Sequence, residues 1–555
     1  MNEKSIIVTC ALPYANGELH LGHIVSTYLP ADVFSRFYRL NGVKVVFICA
    51  TDDYGTPILI KSEQENKTPA EYVDYWNKRD LKDFSDLGIS FDFFNKTSSE
   101  ENKKLTQYFF LKLLEKEYIY KKYVDQFYCT QDKKFLPDRY VLGICPFCGA
   151  EQQYSDGCEA CGRTFSSGEI KDPKCIICGQ PPINKISAHY FFKLSNLSSE
   201  LKTWLTEAVD LQIDVKNYVL NWVTKGLRDW DITRDISWGV PVPLDDAKGK
   251  VFYGWFDNHL CYISSTMTYL KSKGIDGKSF WNSSRIFHFI GKDIVYHHYL
   301  FLPAMRIGIN KEYALPSSMP TRGHLLLQGQ KFSKSRGWYI GLRDFLNHFD
   351  ADYLRYYLSS ITSYSQSDVN FDWRDFQAKI NNELVANIGN FIYRTLSFIY
   401  TKFDGKVPEP IEPSQIDLEF LSRFKKTALQ AGSYIENNNL DKGLKTIVDF
   451  SAFCNQYFQK MEPWKKGKGS QNCLYYSVNA VRSLAILLNP YIPNSTEELW
   501  KQLSLPDKVF EQRWENATKL AITPKHTISI PKILFIKIDD SLIESQQKKL
   551  ENFPK

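Results

Sequence analysis

The sequence predicts an α/β fold: a doubly wound parallel sheet, interrupted by a cysteine-rich insertion and followed by an all-α domain. Three observations carry that reading. Residues 5–9 and 43–49 are apolar, β-branched runs of the kind buried inside parallel sheets, and the stretch between them has helical periodicity. Seven of the 12 cysteines crowd between Cys129 and Cys178, mostly as C-x-x-C pairs, where the α/β alternation breaks off. Beyond about residue 378 strand signals stop and long helical patterns take over.

The elements follow in order. After the first strand comes a loop of turn formers (Pro13, Asn16, Gly17), then a helix over residues 20–40 closed by Asn41 and Gly42. The second strand, 43–49, completes a βαβ unit, and such sheets bind ligands beyond the carboxyl ends of their strands. The insertion occupies roughly 118–184. Strand-like runs resume at 251–255 and 286–290, and a Gly- and Lys-containing loop spans 329–337. Residues 531–538 read as a late strand before a polar helical tail.

Bulk properties bound the function. At 555 residues the chain exceeds one core, so three or more domains are expected. A net charge of +6 permits nucleic-acid binding without demanding it. No apolar run is long enough to span a bilayer, and the opening Met-Asn-Glu-Lys-Ser has no signal-peptide pattern, so a cytoplasmic protein without membrane contact is expected. In a reducing compartment paired cysteines mean metal rather than disulfides.

Two motifs suit polyphosphate. His20 and His23 lie three residues apart at a helix start, where unpaired N–H groups and the dipole favour anions, and Gly22 between them permits close approach. Lys331-Phe332-Ser333-Lys334-Ser335-Arg336-Gly337 is a cationic loop able to clamp departing pyrophosphate. Alone, the first also fits an ordinary helix start and the second a solvated basic turn. Together, in this order and at this distance, they resemble the HIGH and KMSKS signatures of the class I aminoacyl-tRNA synthetases. Further segments are similar to the methionyl-tRNA synthetases in particular: Ala11-Leu12-Pro13-Tyr14, Leu136-Pro137-Asp138-Arg139-Tyr140, Asp229-Trp230-Asp231-Ile232-Thr233-Arg234-Asp235 and Gly291-Lys292-Asp293-Ile294-Val295-Tyr296.

The resemblance covers essentially the whole chain. It implies a Rossmann-like catalytic domain in two halves (1–117 and 226–325) around a connective insertion with zinc knuckles (118–225). A signature-loop and stem-contact region (326–378), a helical anticodon-binding domain (379–530) and a tail (531–555) follow. It implies ATP with Mg²⁺, methionine and tRNA(Met) as partners, with Arg234 and Asp293 stabilising the adenylate and its ATP. The further C-terminal dimerisation domain of some members has no counterpart here, so a monomer is expected.

Cys145, Cys148, Cys158 and Cys161 have the spacing of a tetrahedral Cys₄ zinc site, and four protein ligands leave no open catalytic position. In the family such knuckles are structural and shape the insertion near the tRNA acceptor end. Cys175 and Cys178 lack a cysteine partner pair; Cys129 and Asp132, at the same spacing, could complete a second zinc site. A metal-free knuckle is the alternative.

Asn390 and Arg394 stand at i and i+4 and share one helix face. Trp464 sits beside Lys465, Lys466 and Lys468, as a stacking platform for an unpaired base would. The resemblance places these three where the family reads the CAU anticodon. It also assigns Leu12, Tyr14, Trp255, Tyr262, Ile294 and His298 to the methionine side chain and Asp52 to its α-ammonium. An apolar, aromatic lining suits a thioether, which is polarizable and a poor hydrogen bonder.

Four positions depart from the family pattern. Asn258 and His259 stand where alanine and a small or apolar residue are usual, Leu302 where tryptophan is common, and Tyr54 where histidine is. Inward-facing, Asn258 and His259 would bear on amino-acid preference. The expected activity is therefore methionine–tRNA ligation in two steps, adenylate formation and transfer to the tRNA 3′ ribose. Two rivals remain: a paralogue activating another amino acid, and a non-catalytic tRNA-binding relative.

Overall fold

The computed structural model describes residues 5–155, 158, 160–161, 163, 167–333, 337–465 and 469–551. Its centre is a five-stranded sheet, and we number only those strands: β1 Ile6–Cys10, β2 Val45–Thr51, β3 Phe93–Lys96, β4 Arg285–Gly291 and β5 Thr321–Arg322. Their order is β5-β4-β1-β2-β3 and every pairing is parallel. β1 and β2 are buried at each residue, which is why they read as unbroken apolar runs rather than alternating ones. The winding reverses between β1 and β4, and that switch point opens a crevice beyond the strands' carboxyl ends.

The helix after β1 is α over Leu21–His23, π over Ile24–Tyr28 and α again over Leu29–Leu40. A second π turn, His297–Phe301, precedes Leu302–Gly308. These two π turns each lead into a Leu-Pro step, Pro30 or Pro303, unlike a third at Ile380–Gly389. Proline has no N–H for the α ladder and its ring crowds the preceding turn, so a widened turn before it relieves both demands. Both π turns border the crevice.

Residues 251–255 do not form one strand. Val251–Phe252 is a strand, and the chain then enters the helix Gly254–Ser272 with Tyr253 as its cap. Phe256, Leu260 and Ile263, spaced for one helix face and all at most 2% exposed, pull these residues into a helix. The insertion rises on a long antiparallel hairpin, Ile119–Cys129 with Ile183–Phe192, and carries a small sheet of Val141–Ile144, Gln153–Tyr154 and Lys171–Cys175. Leu325–Leu327 pairs with Val369–Phe371 and with Gln330–Lys331 at the base of the second motif.

The C-terminal part is a bundle of Asn390–Lys402, Gln415–Glu436, Leu440–Met461, Ser470–Leu488 and Pro493–Gln502 around fully buried Phe420, Phe424, Ile447 and Phe450. The expected late strand is extended but joins no sheet among the described residues. Side chains stand in for a ladder: the Tyr353 hydroxyl bonds both the N–H and the carbonyl of Ile536, and Asn381 bonds both of Ile538. The bundle is tied to the catalytic half by Arg355, which is fully buried. Its guanidinium donates to Asp32 Oδ2 (2.7 Å), Tyr491 O (2.9 Å), Pro490 O (2.8 Å) and Gly88 O (3.2 Å). Among the described residues no helix is long and apolar enough to cross a membrane.

Candidate functional site

The switch-point crevice deepens into a cavity of about 1000 Å³. Its wall includes His20, Gly22, His23, Arg234, Asp293 and Lys331 at one end. Leu12, Tyr14, Asp52, Trp255, Asn258, Tyr262, Ile294 and His298 line the other. Lys334 lies outside the described residues.

At the first end the two motifs touch. The His20 and His23 rings stack at 3.6 Å, and Phe332 of the cationic loop stacks on His20 at 5.2 Å. A Cβ at position 22 would come within 3.0 Å of the His20 ring, so glycine is what lets that ring fold back over the turn. The chain beyond the loop is stitched to the first motif: Leu21 N donates to Ile340 O (3.1 Å), Leu342 N to Leu19 O (2.8 Å) and the Tyr339 hydroxyl to Glu18 (2.7 Å). The Arg234 guanidinium lies over the Tyr253 ring at 4.2 Å, and Nη1 is held by the carbonyl of Thr233 at 2.7 Å.

At the other end the polar groups are buried. His298 is fully buried; its Nδ1 faces the Ile294 carbonyl at 3.1 Å and its Nε2 the Tyr262 hydroxyl at 2.9 Å. A carbonyl can only accept, so Nδ1 carries the proton and Nε2 accepts from Tyr262. Burial pushes His298 down to about 4, so the ring is neutral throughout the neutral range. The Tyr14 hydroxyl donates to the Tyr54 carbonyl at 2.7 Å, an approach that a Cβ at Gly55 (φ 117°) would block. Asp52 stands where the β1 loop and β2 meet: Ala15 N donates to its carbonyl at 2.9 Å. Burial pushes its carboxyl up to about 7, against a bond from Asn258 and with Asp53 adding to the rise. Asp257, fully buried nearby, is also pushed up by burial and by Asp52.

The four departures resolve into different places. Asn258 points inward and donates from Nδ2 to Asp52 Oδ2 at 2.8 Å. His259 is buried behind the wall, edge-on to His298 at 4.9 Å, and does not line the cavity. Leu302 is 1% exposed in the packed core beneath, and Tyr54 lines the cavity with its ring packed on Trp238. Sequence reasoning missed His297, which stacks flat on Trp255 at 3.9 Å and which burial, with His298, pushes down to about 3. Its only signal was its position beside His298.

Both cysteine sets converge. The ligand atoms of Cys145, Cys148, Cys158 and Cys161 lie within 4.8 Å of one another, and so do those of Cys129, Asp132, Cys175 and Cys178. A tetrahedral zinc with Zn–S bonds of about 2.3 Å demands sulfur pairs about 3.8 Å apart. Cys148 and Cys158 are 3.5 Å apart and Cys145 and Cys161 3.9 Å, so the first set fits. In the second, Asp132 Oδ2 is 3.0 Å from Cys129 and 3.2 Å from Cys175. The turns match as well: Gly149 N donates to Cys145 O and Gly179 N to Cys175 O, each glycine at φ near +74°.

On the bundle, Asn390 and Arg394 face the helix Leu440–Met461, where Asn390 meets Asn455 at 3.3 Å and Arg394 meets Gln459 at 3.5 Å. Glu462, in the left-handed conformation at that helix's end, turns the chain so that Trp464 stands 39% exposed, with its ring 5.8 Å from the Arg394 guanidinium. Asn455 and Gln459, on a partner helix, were not anticipated; they repeat the i, i+4 spacing of Asn390 and Arg394.

Comparison with known proteins gives the family. Residues 6–396 match the family described as tRNA synthetases class I (M), and residues 417–547 match the anticodon-binding domain of tRNA ligase. The chain is 43% identical to a methionine–tRNA ligase of Methanobrevibacter smithii, over 99% of this chain and 82% of that one. It is 42% identical to the Methanopyrus kandleri ligase, over 97% and 81%. A methionyl-tRNA synthetase of Mycobacterium tuberculosis, solved with methionyl-adenylate, shares the fold at a TM-score of 0.80 and 22% identity, over 96% of this chain and 99% of that one. A catalytic crevice, a helical partner domain and full-length relatives at this identity have one reading: the chain belongs to the methionine–tRNA ligases of the class I aminoacyl-tRNA synthetase family.

Proposed function

We propose how this chain's residues divide the work of its family's reaction, the ATP-dependent attachment of methionine to tRNA. Methionine enters the aromatic end, where Leu12, Tyr14, Trp255, Tyr262, Ile294 and His298 surround the thioether. The neutral His298 and its bonded Tyr262 keep charge away from a group that makes poor hydrogen bonds. Asp52 takes the α-ammonium, which orients the carboxylate toward the phosphate end. That carboxylate attacks the α-phosphorus of ATP, giving the adenylate and pyrophosphate. His20, His23, Lys331 and Lys334 stabilise the charge that develops, with Arg234 and Asp293 holding the nucleotide; Mg²⁺ accompanies ATP as its counter-ion. No covalent nucleophile is needed, because positioning and charge stabilisation account for the rate. The tRNA 3′ ribose hydroxyl then takes the methionyl group and AMP leaves.

The observation that carries this division is the contact between the two motifs. The His20 ring is shared between His23 and Phe332, at the mouth of a cavity whose far end holds Asp52. Methionine-dependent ATP–pyrophosphate exchange tests it across a panel of amino acids. Exchange with methionine alone is expected; exchange with another amino acid would mean that the altered wall has changed the substrate.

Asn390, Arg394 and Trp464 would read the anticodon of tRNA(Met), helped by Asn455 and Gln459. The first cysteine set would hold a structural zinc. The second would hold another, a reading supported by its identical turn geometry. Metal analysis of the purified protein is expected to give two zinc ions per chain, falling to one in the Cys175→Ser variant.

A further inference from the structure

Of the four departures Asn258 and Tyr54 line the cavity, and Asn258 is the one bonded to Asp52. Its amide nitrogen donates to Asp52 Oδ2 at 2.8 Å, and the assignment of that nitrogen follows from chemistry, since an amide oxygen would be repelled by an ionised carboxylate. The bond leaves two acceptors over. Asn258 Oδ1 and Asp52 Oδ1 are both buried and neither accepts a well-formed hydrogen bond, although the Tyr54 N–H lies close to the Asp52 carboxyl. Both side chains line the cavity, and Asn258 is only 3% exposed. Two orphaned acceptors on side chains joined to each other are a receptor for a group with at least two N–H donors and positive charge. The amino acid has one such group: its thioether and carboxylate donate nothing, whereas its ammonium offers three hydrogens.

We propose that Asn258 is a second ammonium-binding residue, so that the α-amino group is held by Asp52 Oδ1 and Asn258 Oδ1 together while Asn258 Nδ2 clamps the carboxylate in place. The inference rests on reading Asp52 as the ammonium's partner. The alanine usual at this position in the family offers neither atom, so this grip is a property of this chain. The clamp also bears on protonation. A donor to a carboxylate favours its ionised form, and Asp52 needs that help because burial works against it.

The test compares two ligands that differ only in the amino group: methioninol, which has it, and 4-(methylthio)butan-1-ol, which lacks it. Binding of each to the full chain is measured by calorimetry for the wild type, Asn258→Ala and Asp52→Asn. Asn258→Ala is expected to weaken methioninol by about 10- to 100-fold, the scale of one hydrogen bond to a charged group, and to leave the desamino alcohol unchanged. The acid limb of methionine-dependent pyrophosphate exchange should also move to higher pH in Asn258→Ala, since Asp52 has lost its donor. Equal weakening of both ligands would mean that Asn258 only shapes the pocket, and unchanged methioninol binding with an unmoved acid limb would overturn the inference outright. If Asp52→Asn binds methioninol as the wild type does, it is the underlying reading of Asp52 that fails.

Discussion

In the proposed amino-acid pocket, His298 is wholly buried, with one ring nitrogen on the Ile294 carbonyl and the other on the Tyr262 hydroxyl. On the helical bundle, Arg394 is half-buried and reaches Gln459 only at 3.5 Å, with Trp464 exposed beside it. In the pocket His298 and Tyr262 are bonded before any ligand arrives, while Asp52 and Asn258 each keep one buried acceptor open to it. The proposed anticodon face keeps its own polar groups on loose terms that a base could replace. A buried group with a missing partner bears the full desolvation cost, while an exposed one returns to water. Single substitutions should therefore be severe in the pocket and graded on the bundle.

The largest effect expected is that of Asp52→Ala. Removing the buried carboxylate that faces the ammonium should lower kcat/KM for methionine in pyrophosphate exchange by about 10³-fold, the scale of breaking a buried ion pair. The tRNA dissociation constant, measured by filter binding, should not move. Acid comes next. The carboxylate form is the one that binds, and burial has pushed the Asp52 carboxyl up to about 7, so activity is lost as pH falls through that value. Free-enzyme kcat/KM for methionine should drop about tenfold per pH unit below it. His298, already neutral, adds no limb between pH 5 and 8.

Trp464→Ala should raise KM for tRNA by about 5- to 100-fold, since a stacked base contributes about 1–3 kcal/mol, and leave pyrophosphate exchange untouched. Smallest is Gln459→Ala, which removes a neutral and exposed partner of Arg394. A loss of about 0.5–1.5 kcal/mol in tRNA affinity is expected in the same binding assay. If Gln459→Ala costs as much as Asp52→Ala, the contrast between a preset pocket and a loose face collapses.

The sequence made legible what local chemistry dictates. β1 and β2 are apolar runs because both faces are covered, and His20, Gly22 and His23 belong to one helix start. The paired cysteines announce their convergence by spacing alone. What escaped depends on distant parts of the chain. His297 matters because Trp255, on another helix, lies flat against it. Asn455 and Gln459 matter because their helix docks on Asn390–Lys402. Residues 251–255 read as a strand because aromatic residues favour both states there; the helical spacing of Phe256, Leu260 and Ile263 decided the matter. The inward turn of Asn258 follows from Asp52, far away in sequence, and no periodicity reports it.

The Arg355–Asp32 joint bears on how the protein fails in acid. Burial alone would raise the Asp32 carboxyl, but the guanidiniums of Arg36 and Arg355 and the Ser90 hydroxyl hold it well below the usual carboxylate range. A carboxyl depressed in the folded chain stabilises it above the ordinary carboxylate value, and that contribution fades only as pH falls through the lower one. Asp52 is displaced the opposite way. On the proposed role of Asp52, mild acid would switch off substrate capture while the seam between the helix Leu29–Leu40 and the bundle keeps its charge. Inactivation on that side of neutrality should be an off-switch that neutralisation restores, not a collapse.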